Sequence, residues 1–472
     1  MDEDKTRRTF LIGGVSAGAI ALAGCASEDG DDANGDDTNG DDQNGNGETE
    51  NGADDEVPSY EVWALDQGTD TIYLYEPDSD GYGEHGDDVD ATDLFAHAET
   101  IDLNEVLDDE GPIIPHMIDF TSDYEYAAIA CTAGARTLVF RTDDHELVGE
   151  IETGPRSHFA GFSPDDAYVH VDVMGDPDEE YGWITRVETD LENEEFEEVD
   201  RIDFSDSDIV DDDVWPARPI CHQYDPSGRS FHTLGPGHGD AGLVIVDHDD
   251  FSVERAYPGE EVPTNCGTMP HPSEEKFYLT AGRPSNPEED DEGVGEYYVY
   301  DTADDEILVD GESTEGVDAH GFWFTPDGEE LWVLNRESND GVVVDPDTDE
   351  VEGGIDAFGP AQSDDPEESD APDIMWATPD GRYVLVTLRG PAPLSGDPHA
   401  ATGVTPGFSV LDTESKEIVD VVEPDPIDEY DDEDIQAVRD EEDDAPPIPD
   451  FHGIGVRPTG DFDTEIDTSP PY

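Results

Sequence analysis

A turn motif set between strand-like runs is the feature that most constrains the fold of this chain. Within residues 318–347, the apolar run 321–324 leads into the turn Thr325-Pro326-Asp327-Gly328, which is followed by a second run at 330–334. Proline presets φ for such a turn, and glycine accepts the positive φ that closes it. A loop containing Asn and Gly then leads into a third run, 342–344. Alternating apolar and β-branched residues between turns predict an antiparallel meander.

The same pattern recurs along the chain. A unit of roughly 45 residues that holds such a meander is typical of one blade of a β-propeller. Aligned on the turn, the seven repeats begin their predicted inner strands at His116, His158, Ile220, Cys266, His320, Asp373 and His452. We therefore predict an all-β, seven-bladed β-propeller built from four-stranded antiparallel blades.

The two ends of the chain complement each other. The repeat that begins at His452 has too little chain left to complete a blade, whereas residues 60–65 and 72–75 are strand-like runs without an inner strand. Pairing of these segments would close the ring and remove free sheet edges that invite aggregation. The propeller is thus predicted to span residues 59–472. By composition, three acidic insertions are predicted to be surface loops: 176–200, 285–294 and 425–446.

The charge balance excludes two classes of partner. The 472 residues include 127 Asp and Glu but 19 Lys and Arg, which gives a formal net charge of −108. Nucleic-acid phosphates and anionic lipid headgroups both require cationic surface, so we expect no nucleic-acid partner and no general adhesion to anionic lipid. Acid spread this evenly, with only Lys276 and Lys416 after residue 5, is typical of adaptation to high salt. In molar salt the Debye length falls to about 3 Å, which screens the self-repulsion.

The N-terminus carries an export and anchoring signal. Thr6-Arg7-Arg8-Thr9-Phe10-Leu11 matches a twin-arginine motif, and the apolar run after it is too short and too weakly hydrophobic for a transmembrane helix. The run ends in Leu22-Ala23-Gly24-Cys25, which resembles a lipobox whose Cys25 carries the lipid. We predict a signal peptide over residues 1–25 and a protein held by lipid at the outer face of the cytoplasmic membrane. Residues 26–58, rich in Asp, Gly and Asn, are predicted to form a disordered stalk.

One repeat resembles a known propeller family. Residues 333–348, V-L-N-R-E-S-N-D-G-V-V-V-D-P-D-T, are similar to the YVTN-type repeat, in which strand, Asn-containing turn, strand and Asp-x-x-Thr follow in that order. YncE-like surface proteins, lactonase-type propellers and the propeller domain of nitrous oxide reductase share this repeat. Together with the export signal, the resemblance implies a haloarchaeal YncE-like surface lipoprotein. It implies the fold rather than an activity, because one fold hosts many functions.

One group of residues could carry chemistry in the predicted channel. The inner strands of a propeller line its central channel, so their first positions share one rim. His222 lies two residues after Ile220 and hence on the same strand face. The predicted metal ligands are His116, His158, His222, Cys266, His320, Asp373 and His452.

Three interpretations of this set stay open. Histidines that begin inner strands can hydrogen-bond the backbone of a neighbouring blade and so serve the fold alone. Imidazole, thiolate and carboxylate donors that converge on one channel could instead bind Cu or Zn. A third interpretation is general acid–base catalysis, for example lactone hydrolysis by a histidine with an arginine-stabilised oxyanion.

The resemblance to nitrous oxide reductase bears on the second interpretation. The copper cluster of that family is held by a ring of propeller histidines, which implies copper as one possible occupant here. This chain departs from the pattern, because Ile220, Cys266 and Asp373 stand at ring positions and the sequence given contains no cupredoxin domain. The resemblance therefore does not imply that enzyme's activity.

Arginines concentrate at the same predicted rim. Four of them end second strands, two precede inner strands, and two histidines lie in Gly-rich loops. The predicted rim residues are Arg136, Arg156, Arg218, His238, Arg283, Arg336, Arg389 and His399. Because arginine holds carboxylates and phosphates through two parallel N–H donors, we predict a funnel for an anionic small molecule, an acidic peptide or an envelope protein. The alternative is that each arginine pairs with one of the abundant surface carboxylates.

Three cysteines remain after lipidation of Cys25. An odd count outside the cell implies at least one thiol that is free or metal-bound. Cys221 and Cys266 lie on adjacent inner strands at different offsets, which predicts opposite orientations and disfavours a disulfide. Cys266 is the better ligand candidate, whereas Cys131 is interpreted as a small buried hydrophobe.

The sequence favours a lipid-anchored binding module without catalysis. A metal-dependent or acid–base enzyme that uses the same funnel is the alternative, and a structural role in the envelope is a third. No H-E-x-x-H or Walker-type phosphate motif occurs in the sequence.

Overall fold

Seven four-stranded antiparallel sheets form the fold. The structure, a computed structural model, describes residues 57–79, 81–82, 94–108, 111–177, 181–210, 214, 217–235, 242–286, 290–363, 365–396, 398–424, 430–440, 445–460 and 462. The predicted signal peptide, with Cys25, and all but the last two residues of the predicted stalk lie outside these ranges.

The strands follow one another along the chain in sheet order. The first seven are β1 (Tyr60–Asp66), β2 (Thr71–Pro77), β3 (Phe95–Asp102), β4 (Pro115–Phe120), β5 (Tyr126–Cys131), β6 (Arg136–Arg141) and β7 (Glu146–Glu152). The next eight are β8 (Ser157–Phe162), β9 (Tyr168–Val173), β10 (Trp183–Asp190), β11 (Glu195–Asp203), β12 (Arg218–Tyr224), β13 (Arg229–Gly235), β14 (Leu243–Asp247) and β15 (Ser252–Tyr257). They are followed by β16 (Thr268–Pro270), β17 (Lys276–Arg283), β18 (Val294–Asp301), β19 (Glu306–Ser313), β20 (Ala319–Phe324), β21 (Leu331–Asn335), β22 (Asp340–Asp345) and β23 (Glu350–Ile355). The last five are β24 (Pro372–Ala377), β25 (Tyr383–Leu388), β26 (Gly407–Asp412), β27 (Ile418–Val422) and β28 (Phe451–Pro458).

Short helices lie in the connections. They are α1 (Leu103–Leu107), α2 (Pro398–Ala401), α3 (Asp432–Arg439) and the 3-10 turns Phe204–Asp206 and Pro366–Glu368. Among the helices that the structure describes, none has the length and hydrophobicity needed to cross a bilayer.

The sheets are arranged as a closed ring. The innermost strands are β28, β4, β8, β12, β16, β20 and β24, and each contacts the next in that cyclic order. In the closing sheet β28 pairs antiparallel with β1, so that Tyr60 faces Pro458 and Val62 faces Val456. The predicted seven-bladed propeller, closed by its two terminal segments, is confirmed.

The turn motif forms as its sequence predicts. Gly328 has φ +70°, and its N–H donates to the carbonyl of Thr325 over 2.7 Å. The Thr325 hydroxyl donates to the Asp327 carboxylate over 2.7 Å. Because proline and glycine supply the two backbone conformations, β20 and β21 leave this turn in register.

Burial decreases outward through each blade. All six residues of β20 are buried, whereas β23, at the outer edge of the same sheet, is largely exposed. Between the blades aromatic side chains pack closely, as in the pair Trp323–Trp376, whose ring centroids are 4.5 Å apart and whose planes are inclined by 31°. Burial of apolar side chains between the sheets stabilises the ring, whereas many acidic residues lie on the outer strands and face solvent.

Two of the three surface loops predicted from composition contain regular secondary structure. Most of the acidic stretch 176–200 forms β10 and part of β11, because an outer strand faces solvent and tolerates the carboxylates that fill it. Within the stretch 425–446, helix α3 begins at Asp432 and is capped by Asp431, whose side chain and that of Asp434 form a capping box. Acidic residues near the start of a helix stabilise it, so here they mark a helix rather than a loop.

Candidate functional site

β-Bulges at the starts of the inner strands aim side chains into the channel. In β4 the extra residue is His116, which lies between Pro115 and Met117, the residues that pair with β5. The same irregularity falls at His158, Ile220, His320, Asp373 and His452. A bulge leaves one residue unpaired and re-aims its neighbours, and bulges are typical beside functional sites.

The channel brings together one side chain from each blade. The seven are His116, His158, Cys221, Cys266, His320, Asp373 and His452. They include two sets of three donors, and in each set the donor atoms lie within 4.8 Å of one another. The first set is His158, Cys221 and Cys266, and the second is His320, Asp373 and His452. We call these the sulfur set and the carboxylate set.

The sulfur set contains a close pair of thiols. Sγ of Cys221 lies 3.2 Å from Sγ of Cys266 and 3.9 Å from Nδ1 of His158. The hydrogen bond from Cys221 and the charges of His320 and His158 hold the pKa of the Cys266 thiol well below its usual range, against the effect of burial. Burial raises the pKa of Cys221. The pair therefore favours one thiolate and one thiol.

The carboxylate set contains buried atoms without hydrogen bonds. Nε2 of His320 lies 2.7 Å from Oδ1 of Asp373, without the direction that a hydrogen bond needs. Both ring nitrogens of His320 and Oδ1 of Asp373 are buried and have no hydrogen-bond partner among the described residues. Burial and Arg336 would lower the pKa of His320, but Asp373 and Cys266 raise it to about 9. An unsatisfied buried polar atom typically costs about 1–3 kcal/mol, so this set needs an explanation.

Two histidines join the sets and are oriented from outside. Nε2 of His116 lies 3.0 Å from Nε2 of His158, and Gln67 Nε2 contacts His116 Nδ1 at 2.5 Å. Nδ1 of His452 donates to the carbonyl of His116 over 3.0 Å, which turns its Nε2 towards Asp373 Oδ2 at 3.6 Å. Burial lowers the pKa of both His116 and His452, so both favour the neutral imidazole.

Two buried arginines neutralise the carboxylates around the ring. Arg389 donates to both oxygens of Asp450, over 2.8 and 2.9 Å, and to Asp373 over 2.7 Å. Arg336 donates to Asp318 over 2.8 Å and lies 3.7 Å from Asp373. Burial alone would raise the pKa of Asp373, but His452, His320 and Arg389 hold it well below its usual range. Asp373 therefore stays ionised inside the ring.

The predicted rim arginines have different surroundings. Arg136 pairs with Glu150 at 2.7 Å, and Arg283 pairs with Asp291. Arg336 and Arg389 pair with the buried carboxylates described above, so these four do not form an open cationic funnel. Arg156 instead contacts Sδ of Met174 at 3.5 Å and makes no ion pair with the described residues.

Three further rim predictions have separate outcomes. Arg218 donates to the carbonyl of Pro177 over 3.1 Å. His399 contacts the Ser285 hydroxyl at 3.0 Å and lies 3.6 Å from Glu337. His238 lies outside the described residues.

The strand face predicted for His222 is wrong, and so are the opposite orientations predicted for two cysteines. The bulge at Ile220 shifts the alternation of β12, so Cys221 reaches the ring in place of His222. The same shift turns Cys221 towards Cys266. The three cysteines are free in the structure.

His222 belongs to a separate buried chain between two blades. Its Nδ1 contacts Asp172 Oδ2 at 2.6 Å, and Nδ1 of His232 contacts Asp172 Oδ1, also at 2.6 Å. Nε2 of His232 contacts the Ser230 hydroxyl at 2.8 Å. The order Ser–His–Asp matches that of a hydrolase triad. However, Ser230 is fully buried, so the chain joins blades and presents no nucleophile to a substrate.

A small cavity adjoins the ring. Its volume is about 60 Å³, and Cys221, Cys266 and His320 lie in its wall. Most of the remaining lining is apolar, with Trp323 and Trp376 among it. A space of this size accepts water or a group of a few atoms and excludes a large organic cofactor.

Sequence reasoning missed several residues that surround the ring. Asp318 and Asp450 each stand two residues before a ring histidine, in the repeated pattern Asp-x-His-Gly. Together with Arg336 and Arg389, that repeat could have indicated the ion pairs that Asp318 and Asp450 form. Cys221 was missed because it lies one position after the residue that the alignment placed in the ring. No local pattern indicates Gln67, which contacts His116 from the β1–β2 turn.

Solved structures that are similar to this chain include a hydrazine synthase and a dehydrogenase. No protein-family model and no curated protein matches the chain. The hydrazine synthase of Kuenenia stuttgartiensis is 13% identical over 74% of this chain and 87% of its own, with a TM-score of 0.45. Dihydro-heme d1 dehydrogenase NirN, in complex with DHE, is 12% identical over 84% of this chain and 74% of its own, with a TM-score of 0.48. At these identities the similarity extends to the fold alone.

The buried ion pairs predict a large difference between two arginines of one rim. We expect Arg389→Met to lower the free energy of unfolding by about 3–5 kcal/mol, because Asp450 and Asp373 would remain buried without a counter-charge. The control Arg136→Met removes a partly exposed pair and should cost about 1 kcal/mol or less. Urea unfolding in molar salt measures both. Equal, small losses would show that Arg389 is not part of a buried network.

Proposed function

We propose that this protein holds a soft transition-metal ion, Cu or Zn, in its propeller channel. The observation that carries the proposal is the convergence of two thiols, imidazoles and a carboxylate from different blades, where buried nitrogens of His320 and an oxygen of Asp373 have no hydrogen-bond partner among the described residues. Metal coordination would satisfy such atoms. It would also explain why they lie within one small buried volume.

The donor types fit a soft or borderline ion. Thiolate and imidazole nitrogen are ligands of Cu and Zn, whereas Mg²⁺ and Ca²⁺ prefer oxygen. The sulfur set supplies two sulfurs and one nitrogen, and its Cys266 already favours the thiolate. The carboxylate set supplies two nitrogens and one oxygen beside it. The sulfur set is the primary site in this proposal.

The surroundings of the ring orient its donors. Ligating histidines usually hydrogen-bond a carbonyl, carboxylate or other polar group through the nitrogen that does not bind metal. His452 does so through the carbonyl of His116, whereas Nδ1 of His116 accepts a hydrogen bond from the Gln67 amide. Gln67 in turn accepts from the Ser395 hydroxyl over 3.0 Å.

A purely structural role explains part of this arrangement. The contact from His452 to the backbone of the neighbouring blade is the kind of bond that such a role requires. It leaves unexplained why the ring nitrogens of His320 and Oδ1 of Asp373 make no hydrogen bond, although the two residues form a buried ion pair. Acid–base catalysis is less well supported, because Asp373 meets His320 without a hydrogen bond and the adjoining cavity is small.

Metal content tests the proposal. We expect protein purified in molar salt without a metal-affinity tag to bind about one Cu or Zn per chain. Replacing Cys221 or Cys266 by Ala should weaken binding by about 100-fold or more, since each removes a ligand sulfur. The matched control is Cys131→Ala, which removes a fully buried thiol on β5, outside the ring.

Two outcomes would contradict the proposal. One is a wild-type protein that contains no metal and takes up none from a titration with Cu(I) or Zn(II). The other is an equal loss of metal in Cys131→Ala and Cys266→Ala, because that result would reflect general destabilisation.

A second candidate function is anion binding at the channel mouth. The supporting observation is Arg156, a half-buried arginine that has no carboxylate partner among the described residues of this very acidic chain. Burial and Arg218 lower the pKa of Arg156, which indicates a neighbouring positive charge. An anionic small molecule or an acidic segment of an envelope protein would compensate that charge.

Inorganic phosphate is a suitable probe for this candidate. Calorimetric titration should show binding that Arg156→Met weakens by roughly tenfold or more, the effect of losing a charge-assisted hydrogen bond. Arg283→Met is the control, because that arginine already pairs with Asp291. Equal binding by wild type and Arg156→Met would exclude the site.

We further propose that the protein is a lipid-anchored, YncE-like surface lipoprotein. The twin-arginine motif and the lipobox that ends at Cys25 support this location, and the repeat at residues 333–348 supports the family. Cys25→Ser should release the exported protein from the membrane fraction into the medium, whereas Cys131→Ser should stay with the membrane. Unchanged membrane association of Cys25→Ser would contradict the anchor.

A further inference from the structure

Sulfur is concentrated around the channel. The chain has four Cys and five Met, and leaving out Met1 and Cys25 leaves seven sulfur-bearing residues. Met117, Met269, Met375, Cys221 and Cys266 line the cavity beside the ring, and Met174 packs against the two cysteines. Six of the seven therefore lie in one region of a large propeller, and the seventh, Cys131, lies in β5. Packing alone gives no reason for this, because Leu or Ile would fill the same space.

One methionine lies within reach of the sulfur set. Sδ of Met117 is 3.7 Å from Sγ of Cys221. Met117 directly follows the bulged His116 on β4, so the same bulge that aims His116 also places this thioether. Cys221 thus faces three further donors: the sulfurs of Cys266 and Met117, and Nδ1 of His158.

The ligand chemistry of a thioether is selective. Zn²⁺ is bound in proteins by thiolate, imidazole and carboxylate, whereas neutral thioether sulfur together with thiolate selects Cu(I). The apolar lining of the cavity adds to this preference, because a low dielectric disfavours the ion of higher charge.

We propose that the channel ion is Cu(I), with Met117 as the thioether donor beside Cys221, Cys266 and His158. This inference rests on the proposed metal function and specifies its metal. Met269 and Met375 also line the cavity, and in this proposal they form a soft lining rather than ligands of the ion.

X-ray absorption at the copper edge tests the assignment directly. In protein labelled with selenomethionine and loaded with Cu(I), we expect copper–selenium scattering. Met117→Leu should abolish this signal and lower Cu(I) affinity by about tenfold while leaving Zn(II) affinity unchanged, since leucine conserves the volume. Met375→Leu is the control, because that methionine lines the same cavity, where it is more deeply buried than Met117.

The outcomes separate this inference from the proposed function. A protein that binds no metal refutes both. Copper bound without selenium scattering, scattering that survives in Met117→Leu, or Zn(II) binding tighter than Cu(I) overturns the assignment of Met117 and copper while the metal site stands.

Discussion

Antiparallel pairing between β28 and β1 holds the ring closed, and the channel depends on that closure. The segment before β28 is fixed at the same place, because the N–H of Asp450 donates to Asp66 over 2.8 Å and the N–H of Gln67 donates to the carbonyl of Asp450 over 2.9 Å. The chains approach so closely there that a Cβ on Gly68 would lie 1.6 Å from the carbonyl oxygen of Ile448. The closing contacts therefore also position Asp450 and Gln67, which support Arg389 and His116.

Charge is distributed in two different ways in this molecule. On the outside, exposed carboxylates repel one another, a repulsion that molar salt would screen. Around the channel, carboxylates are matched by the buried arginines Arg336 and Arg389, so that Asp373 stays ionised beside two histidines. Two of the few cations of this chain thus balance buried carboxylates around the ring.

The fold could be predicted from the sequence because its repeat encodes local geometry. The Thr-Pro-Asp-Gly turn and the apolar inner strands specify a blade wherever they occur, and the incomplete end repeats specify closure. Six ring positions also followed from simple alignment: His116, His158, Cys266, His320, Asp373 and His452. The seventh, Cys221, did not, because the bulge at Ile220 shifts β12 by one residue and the alignment did not include that shift.

The ion pairs could be predicted only in part, because the Asp-x-His-Gly repeat marks Asp318 and Asp450 as candidates but does not identify the arginine that each one meets. Arg389 and Asp450 lie in different blades, and nothing in either local sequence states which carboxylate among so many an arginine will meet. The acidic residues of β11 and α3 were likewise predicted from composition to lie in loops. An outer strand and a helix N-terminus both accommodate carboxylates, so composition alone does not distinguish them from a loop. Local patterns thus specify strands and turns, whereas contacts between blades require the three-dimensional arrangement.

The most direct measurement of the central claim is a crystal structure of copper-loaded protein with anomalous diffraction recorded at the copper edge. If the channel binds copper as proposed, we expect one anomalous peak there, within about 2.0–2.3 Å of a nitrogen of His158 and of the sulfurs of Cys221 and Cys266. An empty channel, or copper bound only to surface carboxylates, would contradict it.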